Sequence, residues 1–191
     1  MYRVWRDTHL LLGLFVSAFV MMFGLSSLLF SHRGWFATGP AETESTVVVD
    51  PAQASTPRAL ARHLMKEQGY RGGLHDIRDA EGLVELSIRR MGTVHDVRYT
   101  RGSREARVKS RVFPFMNMLA WMHTTFGMQN DYAPHNLWGA LMFLTSVGLL
   151  ALGGTGLYLW FKLRAERRIG LVLLGGNLAF GAAMIALLWI G

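Results

Sequence analysis

Four histidines occupy positions from which an imidazole could bind a cofactor at a membrane: His9, His32, His123 and His135. Neutral imidazole is a common axial ligand of haem iron, and two imidazoles from different helices can clamp one b-type haem. The alternative is that these side chains are amphipathic residues in the headgroup layer, hydrogen-bonded to the backbone or to water. The sequence leaves both interpretations open.

Three of these histidines, His32, His123 and His135, are expected at one membrane face, whereas His9 lies at the other end of the first apolar segment. If that segment is one continuous helix, His9 and His32 are about 35 Å apart. A single haem b could therefore be held at the face with three histidines. Two haems stacked across the bilayer could not both have two histidine ligands from this chain.

Methionines surround one of the histidines. Met118, Met122 and His123 form a candidate Cu(I) site, because thioether and imidazole ligands suit that ion. Methionines on an apolar face also fill gaps or contact lipid, which is the alternative here. The remaining histidines lack metal-like spacing and are predicted to be surface residues: His63, His75 and His95.

A basic run extends from Arg98 to Arg111, with six basic residues against the single acidic Glu105. Such a run could bind anionic lipid headgroups, each charge contributing about 1 kcal/mol near an acidic surface. It could equally bind an acidic ligand, or be a solvated face of a strand. The sequence does not decide between these three interpretations.

Composition excludes several classes of chemistry. The 191 residues include no cysteine, so disulfides, thiolate metal sites, iron–sulfur clusters and cysteine nucleophiles are absent. The sequence also lacks a nucleophile motif, a phosphate-binding loop, an HExxH motif and a dinucleotide fingerprint. A non-catalytic protein is therefore favoured over an enzyme.

The elements that position these side chains are three uncharged apolar segments, residues 10–30, 136–161 and 169–190. A stretch of 21 residues is about 30 Å long as a helix, which matches the hydrocarbon layer. None of the three has a polar face at helical spacing, so all are predicted to span a membrane. The first exceeds the roughly 7–15 apolar residues of a signal peptide and is interpreted as an anchor.

Short basic segments predict the orientation. Residues 1–9 and the loop 162–168 are both net positive, which places both in the cytoplasm. Residues 31–134 then lie outside, so nucleic acid is not an expected partner. The expected fold is an α-helical membrane protein with three transmembrane helices. A small α+β extracytoplasmic domain is inserted between the first and second spans.

Small residues in the spans predict close helix packing, because apolar contact alone gives helices no preference over lipid. The candidate packing residues are Gly13, Ser17, Ala151, Thr155, Gly175, Asn177, Ala179 and Ala183. The seven-residue loop predicts that the second and third spans pack as antiparallel neighbours, with a Thr155–Asn177 hydrogen bond. The same positions could instead serve a homodimer mate or another membrane protein.

The outer region divides into a linker, a small domain and an apolar connection. Residues 31–56 are predicted to be a linker with one short strand at 46–49. In the domain, residues 57–112, Thr56 and Gly69 are typical of the start and end of a helix that carries Leu60 and Leu64 on one face. Alternating residues predict strands at 83–90, 93–99 and 105–112, the last two joined by a turn at 101–104.

The connection between this domain and the second span covers residues 113–135. Its apolar part, 113–128, is too short to cross a bilayer and contains Asn117 and His123. It is predicted to be an interfacial helix on the outer leaflet.

Together these segments resemble the PepSY-associated transmembrane family. The resemblance rests on Arg6-Asp7-Thr8-His9 entering the first span, on the helix-plus-hairpin domain, and on the second span. That span contains Asn136-Leu137-Trp138-Gly139 and ends in Thr155-Gly156-Leu157-Tyr158-Leu159-Trp160 before basic residues.

The resemblance implies a bacterial inner-membrane protein whose PepSY-like domain is periplasmic. Larger relatives with more spans act with iron–siderophore uptake, some as haem-containing ferric reductases, and other PepSY modules regulate partners. This chain differs because its second and third spans contain no internal histidine. The leading hypothesis is an accessory protein that presents its PepSY-like domain to a partner or ligand. The alternatives are a b-haem protein assisting ferric-siderophore reduction and a periplasmic Cu(I)-binding protein.

Overall fold

The computed structural model describes residues 2–35, 39–124, 127–162 and 167–190. The chain divides into two compact units, one of residues 19–144 and one of residues 1–18 with 145–191. The elements in chain order are α1 (Tyr2–Ser31), β1 (Ala41–Val48), α2 (Pro57–Glu67), β2 (Gly73–Ala80), β3 (Leu83–Arg90), β4 (Thr93–Thr100), β5 (Glu105–Val112), α3 (Phe115–His123), α4 (Ala133–Lys162) and α5 (Arg167–Ile190).

Three of the helices, α1, α4 and α5, are long and apolar enough to cross a membrane. They contain the three predicted spans, and each begins before the uncharged segment that marks it in the sequence. Polar residues such as Arg3 and Arg6 continue the first helix toward its N-terminus, because a helix satisfies its own backbone groups whatever its side chains are. The fold of three apolar helices with a sheet between the first two follows the expectation from the sequence.

The outer region folds as a five-stranded antiparallel sheet of order β1-β5-β4-β3-β2. The predicted strands at 83–90 and 105–112 match β3 and β5, and the predicted strand at 93–99 is β4, one residue longer. The predicted linker is wrong over 41–45, where β1 begins, and the short strand predicted at 46–49 corresponds to the end of β1, which pairs with β5 along its whole length. The domain therefore begins before residue 57.

Two strands lack the alternation that predicts a strand. In β1 residues 42–46 are polar and exposed on both faces, so alternation is missing there and only pairing with β5 shows how far the strand extends. In β2 the register shifts between His75 and Arg78, where Asp76 has a φ of +49°. Such an irregularity interrupts the two-residue period from which strands are recognised.

One face of the sheet packs on α2 and forms the core. Leu60 and Leu64 of the helix are fully buried, as is Ile88 of β3. The side chain of Thr56 caps the helix by accepting a hydrogen bond from the backbone N–H of Ala59 at 3.1 Å. Gly69, with a φ of +72°, follows the helix end. The predicted helix and its buried face are confirmed.

The apolar segment after β5 is only partly helical. Phe113 still donates its backbone N–H to the Gly92 carbonyl at 2.8 Å, and α3 covers 115–123 rather than the predicted 113–128. Pro114 starts the helix, and Thr124 leaves helical geometry at its end. Residues 125 and 126 lie outside the described residues.

In the unit of residues 1–18 and 145–191, α1 packs antiparallel to α4. A Cβ built on Gly148 would lie 3.0 Å from Val16, and one on Gly13 would lie 3.7 Å from Leu152. A Cβ on Gly156 would lie 3.3 Å from the ring of His9. Later positions in α1 thus contact earlier positions in α4, as in an antiparallel pair, and the glycines let the two helices approach closely.

The predicted packing of the second and third spans is not what the structure shows. Helix α5 contacts the Trp160 indole through Gly170 near its start, and its predicted packing residues Gly175, Asn177, Ala179 and Ala183 are exposed. Thr155 binds His9 rather than Asn177. A short connection holds two helix ends close together but does not fix the angle between the helices. Of the other candidates, Gly13 lies on the α1–α4 contact, whereas Ser17 and Ala151 are exposed.

Candidate functional site

The hydrogen bond between His9 and Thr155 fixes the imidazole at the α1–α4 contact. His9 Nδ1 lies 2.9 Å from Thr155 Oγ1, and Thr155 is only 5% exposed. The threonine hydroxyl donates its single proton to the backbone carbonyls of Ala151 and Leu152, at 2.8 and 3.0 Å. With that proton on a carbonyl, the Thr155 oxygen accepts from His9 Nδ1–H, and in this neutral tautomer Nε2 carries the lone pair.

His123 is oriented in the same way in the other unit. Its Nδ1 lies 2.7 Å from the hydroxyl of the fully buried Ser26, which donates to the Phe23 carbonyl at 3.0 Å. The rings of Phe23 and Phe30 contact the imidazole edge-on, with centroids at 4.9 and 5.8 Å. In the tautomer that donates Nδ1–H to Ser26, Nε2 of His123 carries the lone pair, and the aromatic edges limit how the ring can turn.

The other two candidate haem ligands have different neighbours. His32 lies against the Trp35 ring with centroids 4.1 Å apart. His135 is buried and meets the Tyr132 ring edge-on at 5.0 Å. The described contacts place His32 beside Trp35, His123 beside Ser26, Phe23 and Phe30, and His135 beside Tyr132.

The candidate copper ligands are used in packing where the structure describes them. The side chain of Met118 lies over Gly92, whose Cβ position would be 3.3 Å from Met118 Cγ. The backbone carbonyl of Met122 accepts from the Trp138 indole at 3.0 Å. Among the described residues there is also no group of three or more His, Asp or Glu side chains that could hold a metal ion. Cu(I) binding by Met118, Met122 and His123 stays a prediction.

All three histidines of the outer domain predicted to be surface residues, His63, His75 and His95, are partly buried. His95 Nδ1 lies 2.8 Å from Ser110 Oγ, and its ring meets Tyr70 edge-on at 4.7 Å. Burial and then the charge of Arg90 lower the pKa of His95, against the opposing effect of Asp96. The signal was present in the sequence, because His95 alternates in phase with the buried Val97.

His75 is the second partly buried histidine. Burial, followed by the charge of Arg89, lowers its pKa, whereas Asp76 and Asp131 act in the opposite direction. A Cβ built on Gly73 would lie 3.3 Å from His75 Nε2 and 3.6 Å from Tyr132 Cβ, so the imidazole is packed closely against the backbone at Gly73. The shifted register at Asp76 hides this placement from sequence patterns.

The sheet face opposite α2 exposes charged side chains, and we call it the open face. A basin of about 810 Å³ lies over it, lined mainly by polar and charged residues of all five strands. The lining includes Glu44, Arg78, Glu85, Asp96, Arg98 and Arg107. Clefts that bind small molecules occupy roughly 300–1,000 Å³ and are mostly apolar, so this basin has the size of such a cleft but suits a polar occupant.

Most basic side chains of the open face have an acidic partner. Lys109 pairs with Glu42 at 2.8 Å, and Arg111 pairs with Asp96 at 2.5 Å. Arg89 pairs with Asp76. These cross-strand pairs neutralise their part of the face.

One row across the strands is different. The register aligns Arg78 with Glu85, Glu85 with Arg98, and Arg98 with Arg107. We call these four residues the arginine row. Arg98 pairs with Glu85 at 2.9 Å, whereas Arg78 and Arg107 form no ion pair with any residue that the structure describes. The row thus carries three guanidinium groups and one carboxylate, and only Arg98 is paired with it.

The basic run recognised in the sequence is therefore divided by the fold. Arg98, Arg107, Lys109 and Arg111 project from the open face, but Arg101 does not. It pairs with Asp79 at 2.5 Å and donates to the Ser55 carbonyl at 3.1 Å. Alternation along β4 and β5 predicts which members share a face, but the partner of each depends on strand register.

Comparison with known proteins agrees with this architecture. Residues 1–162 match the family described as the PepSY-associated TM region. The chain belongs to the PepSY-associated TM family. The match contains α1, the sheet and α4, whereas α5 lies beyond it. No curated protein and no solved structure matches the chain. Membership in the PepSY-associated TM family, with three apolar helices, makes this a membrane protein in contact with the lipid bilayer.

Proposed function

We propose that this PepSY-associated TM protein is a non-catalytic accessory protein that presents its sheet domain to a partner or ligand. The observation that carries the proposal is the open face. One face of the sheet is used for the core with α2, and the other exposes a charged basin. Internal packing does not explain an uncovered face of this size, whereas recognition of a polar partner does.

The proposed setting is the bacterial inner membrane, with a cytoplasmic N-terminus and residues 31–134 in the periplasm. The positive charge of residues 1–9 and of the loop 162–168 supports this orientation. Service to iron–siderophore uptake is the proposed context, and it derives from the family resemblance alone. Protease added to spheroplasts should cleave the sheet domain. Cleavage only after the membrane is opened would contradict the orientation.

Site-specific photo-cross-linking tests the accessory role. A photoreactive amino acid at Thr46, on the open face, should give discrete cross-linked products in cells. The same residue at Arg62, exposed on α2, is the matched control and should give none of these products. Equal products from both positions would contradict presentation of the open face.

Haem-dependent electron transfer is the second candidate, and the two oriented imidazoles favour it. Nδ1 of His9 and Nδ1 of His123 each lie within hydrogen-bond distance of a hydroxyl, and the tautomer that donates Nδ1–H keeps Nε2 available for a metal. A ligating histidine typically has its other nitrogen held in this way by a second residue. A bound b-type haem would supply one-electron transfer. Ser26 and Thr155 would hold the imidazole tautomers, and Gly156 leaves space beside His9.

A visible spectrum distinguishes the two candidates. Protein purified from haem-replete cells should, if it is a haem protein, have a Soret band and a dithionite-dependent α band. Replacement His123→Ala should remove or shift these bands, whereas His63→Ala on α2 should not. A colourless preparation would remove the haem candidate and leave the accessory role.

A further inference from the structure

We propose that the arginine row binds a small molecule carrying two or more carboxylate or phosphate groups. The inference rests on the proposed presentation of the open face and names the class of ligand that this face recognises. It starts from the charge balance along the row. Arg78, Arg98 and Arg107 come from three different strands, and Glu85, which pairs with Arg98, is the single carboxylate of their row.

The direct juxtaposition of Arg98 and Arg107 is the second observation. The two residues face each other across β4 and β5, and like charges directly opposite in a sheet destabilise it. Arg98 is also 74% exposed despite its bond to Glu85, so its guanidinium is accessible. An anionic group between the two guanidinium forks would relieve this repulsion. Guanidinium groups bind carboxylate and phosphate through paired, charge-assisted hydrogen bonds.

The geometry favours a ligand with more than one anionic group. Arg78 is two strands away from Arg98, which corresponds to about 10 Å at the usual spacing of strands. One anionic group would lie at Arg98 and Arg107, and a second would reach toward Arg78. The basin of about 810 Å³ over the row accommodates a small molecule of this kind.

The neighbouring rows of the open face are less suited to bind an anion than the arginine row is. Lys109, Arg111 and Arg89 already have carboxylate partners, so an anion would have to displace Glu42, Asp96 or Asp76 there. Among the basic residues of the open face that the structure describes, Arg78 and Arg107 are the two without a carboxylate partner, and both belong to the arginine row. A basic face that was only solvated would give no reason for its unpaired guanidinium groups to lie in one row.

Calorimetric titration of the full chain in zwitterionic nanodiscs tests the inference, with citrate and tripolyphosphate as probes. The wild type should bind at least one probe, and acetate should bind far more weakly. The variant Arg98→Gln/Arg107→Gln should lose about tenfold or more in affinity, because two charge-assisted contacts are removed. The variant Glu85→Gln should bind more tightly than the wild type, because the competing carboxylate is gone.

The matched control is Arg58→Gln/Arg62→Gln on α2, which removes the same charge from exposed positions on another element. Its affinity should stay within about twofold of the wild type, since exposed charges farther away are screened. An equal loss in both double variants would overturn the inference in favour of a net-charge effect. Equal affinity in the wild type and in Arg98→Gln/Arg107→Gln would overturn it as well.

A second arm distinguishes the source of the anionic group. The wild type is added to vesicles with and without anionic lipid in the presence of saturating citrate. Binding to anionic vesicles without any binding of the soluble probes would overturn the small-molecule proposal in favour of a lipid headgroup. These titrations use purified protein, so they succeed or fail independently of the cross-linking that tests presentation to a partner.

Discussion

The sheet domain and α5 use similar apolar side chains in opposite ways. In the domain, Leu60 and Leu64 are fully buried between α2 and the sheet. In α5, Leu188 and Trp189 are 79% and 87% exposed. The hydrophobic effect drives the burial of leucine side chains in the sheet domain, because it removes them from water. The side chains of α5 face lipid, which is as apolar as leucine, so burying them against protein brings no comparable gain. Glycine contacts and hydrogen bonds must then specify how the apolar helices pack, which is what α1 and α4 show.

Removing a buried leucine should have the largest effect on stability, and the effect should differ between the sheet domain and α5. The substitution Leu64→Ala should destabilise the sheet domain by about 2–5 kcal/mol, because it loses buried apolar area and leaves a cavity. The measurement is thermal unfolding of the detergent-solubilised chain, followed by near-ultraviolet circular dichroism. The matched substitution Leu188→Ala should leave the transition unchanged. Equal destabilisation by both would show that α5 has a packed core of its own.

Filling a glycine at the α1–α4 contact should have the next largest effect. A side chain at Gly148 would meet Val16, so Gly148→Leu should cost about 1–3 kcal/mol through overpacking. Gly175→Leu is the control, because no atom lies within 4 Å of its Cβ position. Unfolding in a series of SDS and mild-detergent mixtures gives the difference. A control that is as damaging as Gly148→Leu would indicate that Gly175 lies in an intermolecular contact.

The His9–Thr155 hydrogen bond should contribute less than either packing change. A double-mutant cycle with His9→Phe and Thr155→Val should give a coupling energy of about 0.6 kcal/mol, the average for such bonds within membranes. The same unfolding assay supplies the four stabilities. A coupling energy indistinguishable from zero would mean that the two side chains do not interact in the folded protein.

The elements with a regular period could be predicted from the sequence. Uncharged length marked the three apolar helices, and alternation marked β3, β4 and β5. Neither signal exists in β1, whose polar side chains are ordered by pairing with β5, or in β2, whose register is shifted. The partner of α4 was also beyond sequence reasoning, because small residues occur at helical spacing in α1 and in α5 alike.

The candidate site could be predicted only in part. Residue types indicated His9 and His123 as candidate cofactor ligands, but the hydroxyl groups that lie against their Nδ1 atoms come from distant positions, Thr155 and Ser26. The sequence shows the basic run from Arg98 to Arg111. It does not show the arginine row, because strand register brings Arg78 of β2 into line with Arg98 and Arg107.

The smallest expected effect is a pH dependence that belongs to the sheet domain. Burial lowers the pKa of His95, so the folded state favours the neutral imidazole. Above its ordinary pKa of about 6.5, both folded and unfolded chains hold the neutral form, and the full stability is present. As the pH falls below that value the unfolded chain binds the proton first, so stability decreases until the folded-state pKa has been passed.

The thermal transition of the sheet domain at several pH values between about 5 and 8 measures this dependence. His95→Gln should flatten it, because glutamine offers a hydrogen bond to Ser110 without titrating in this range. His75→Gln is the companion variant, since burial lowers the pKa of His75 as well and gives the same sign. A slope unchanged in both variants would assign the dependence to carboxylates.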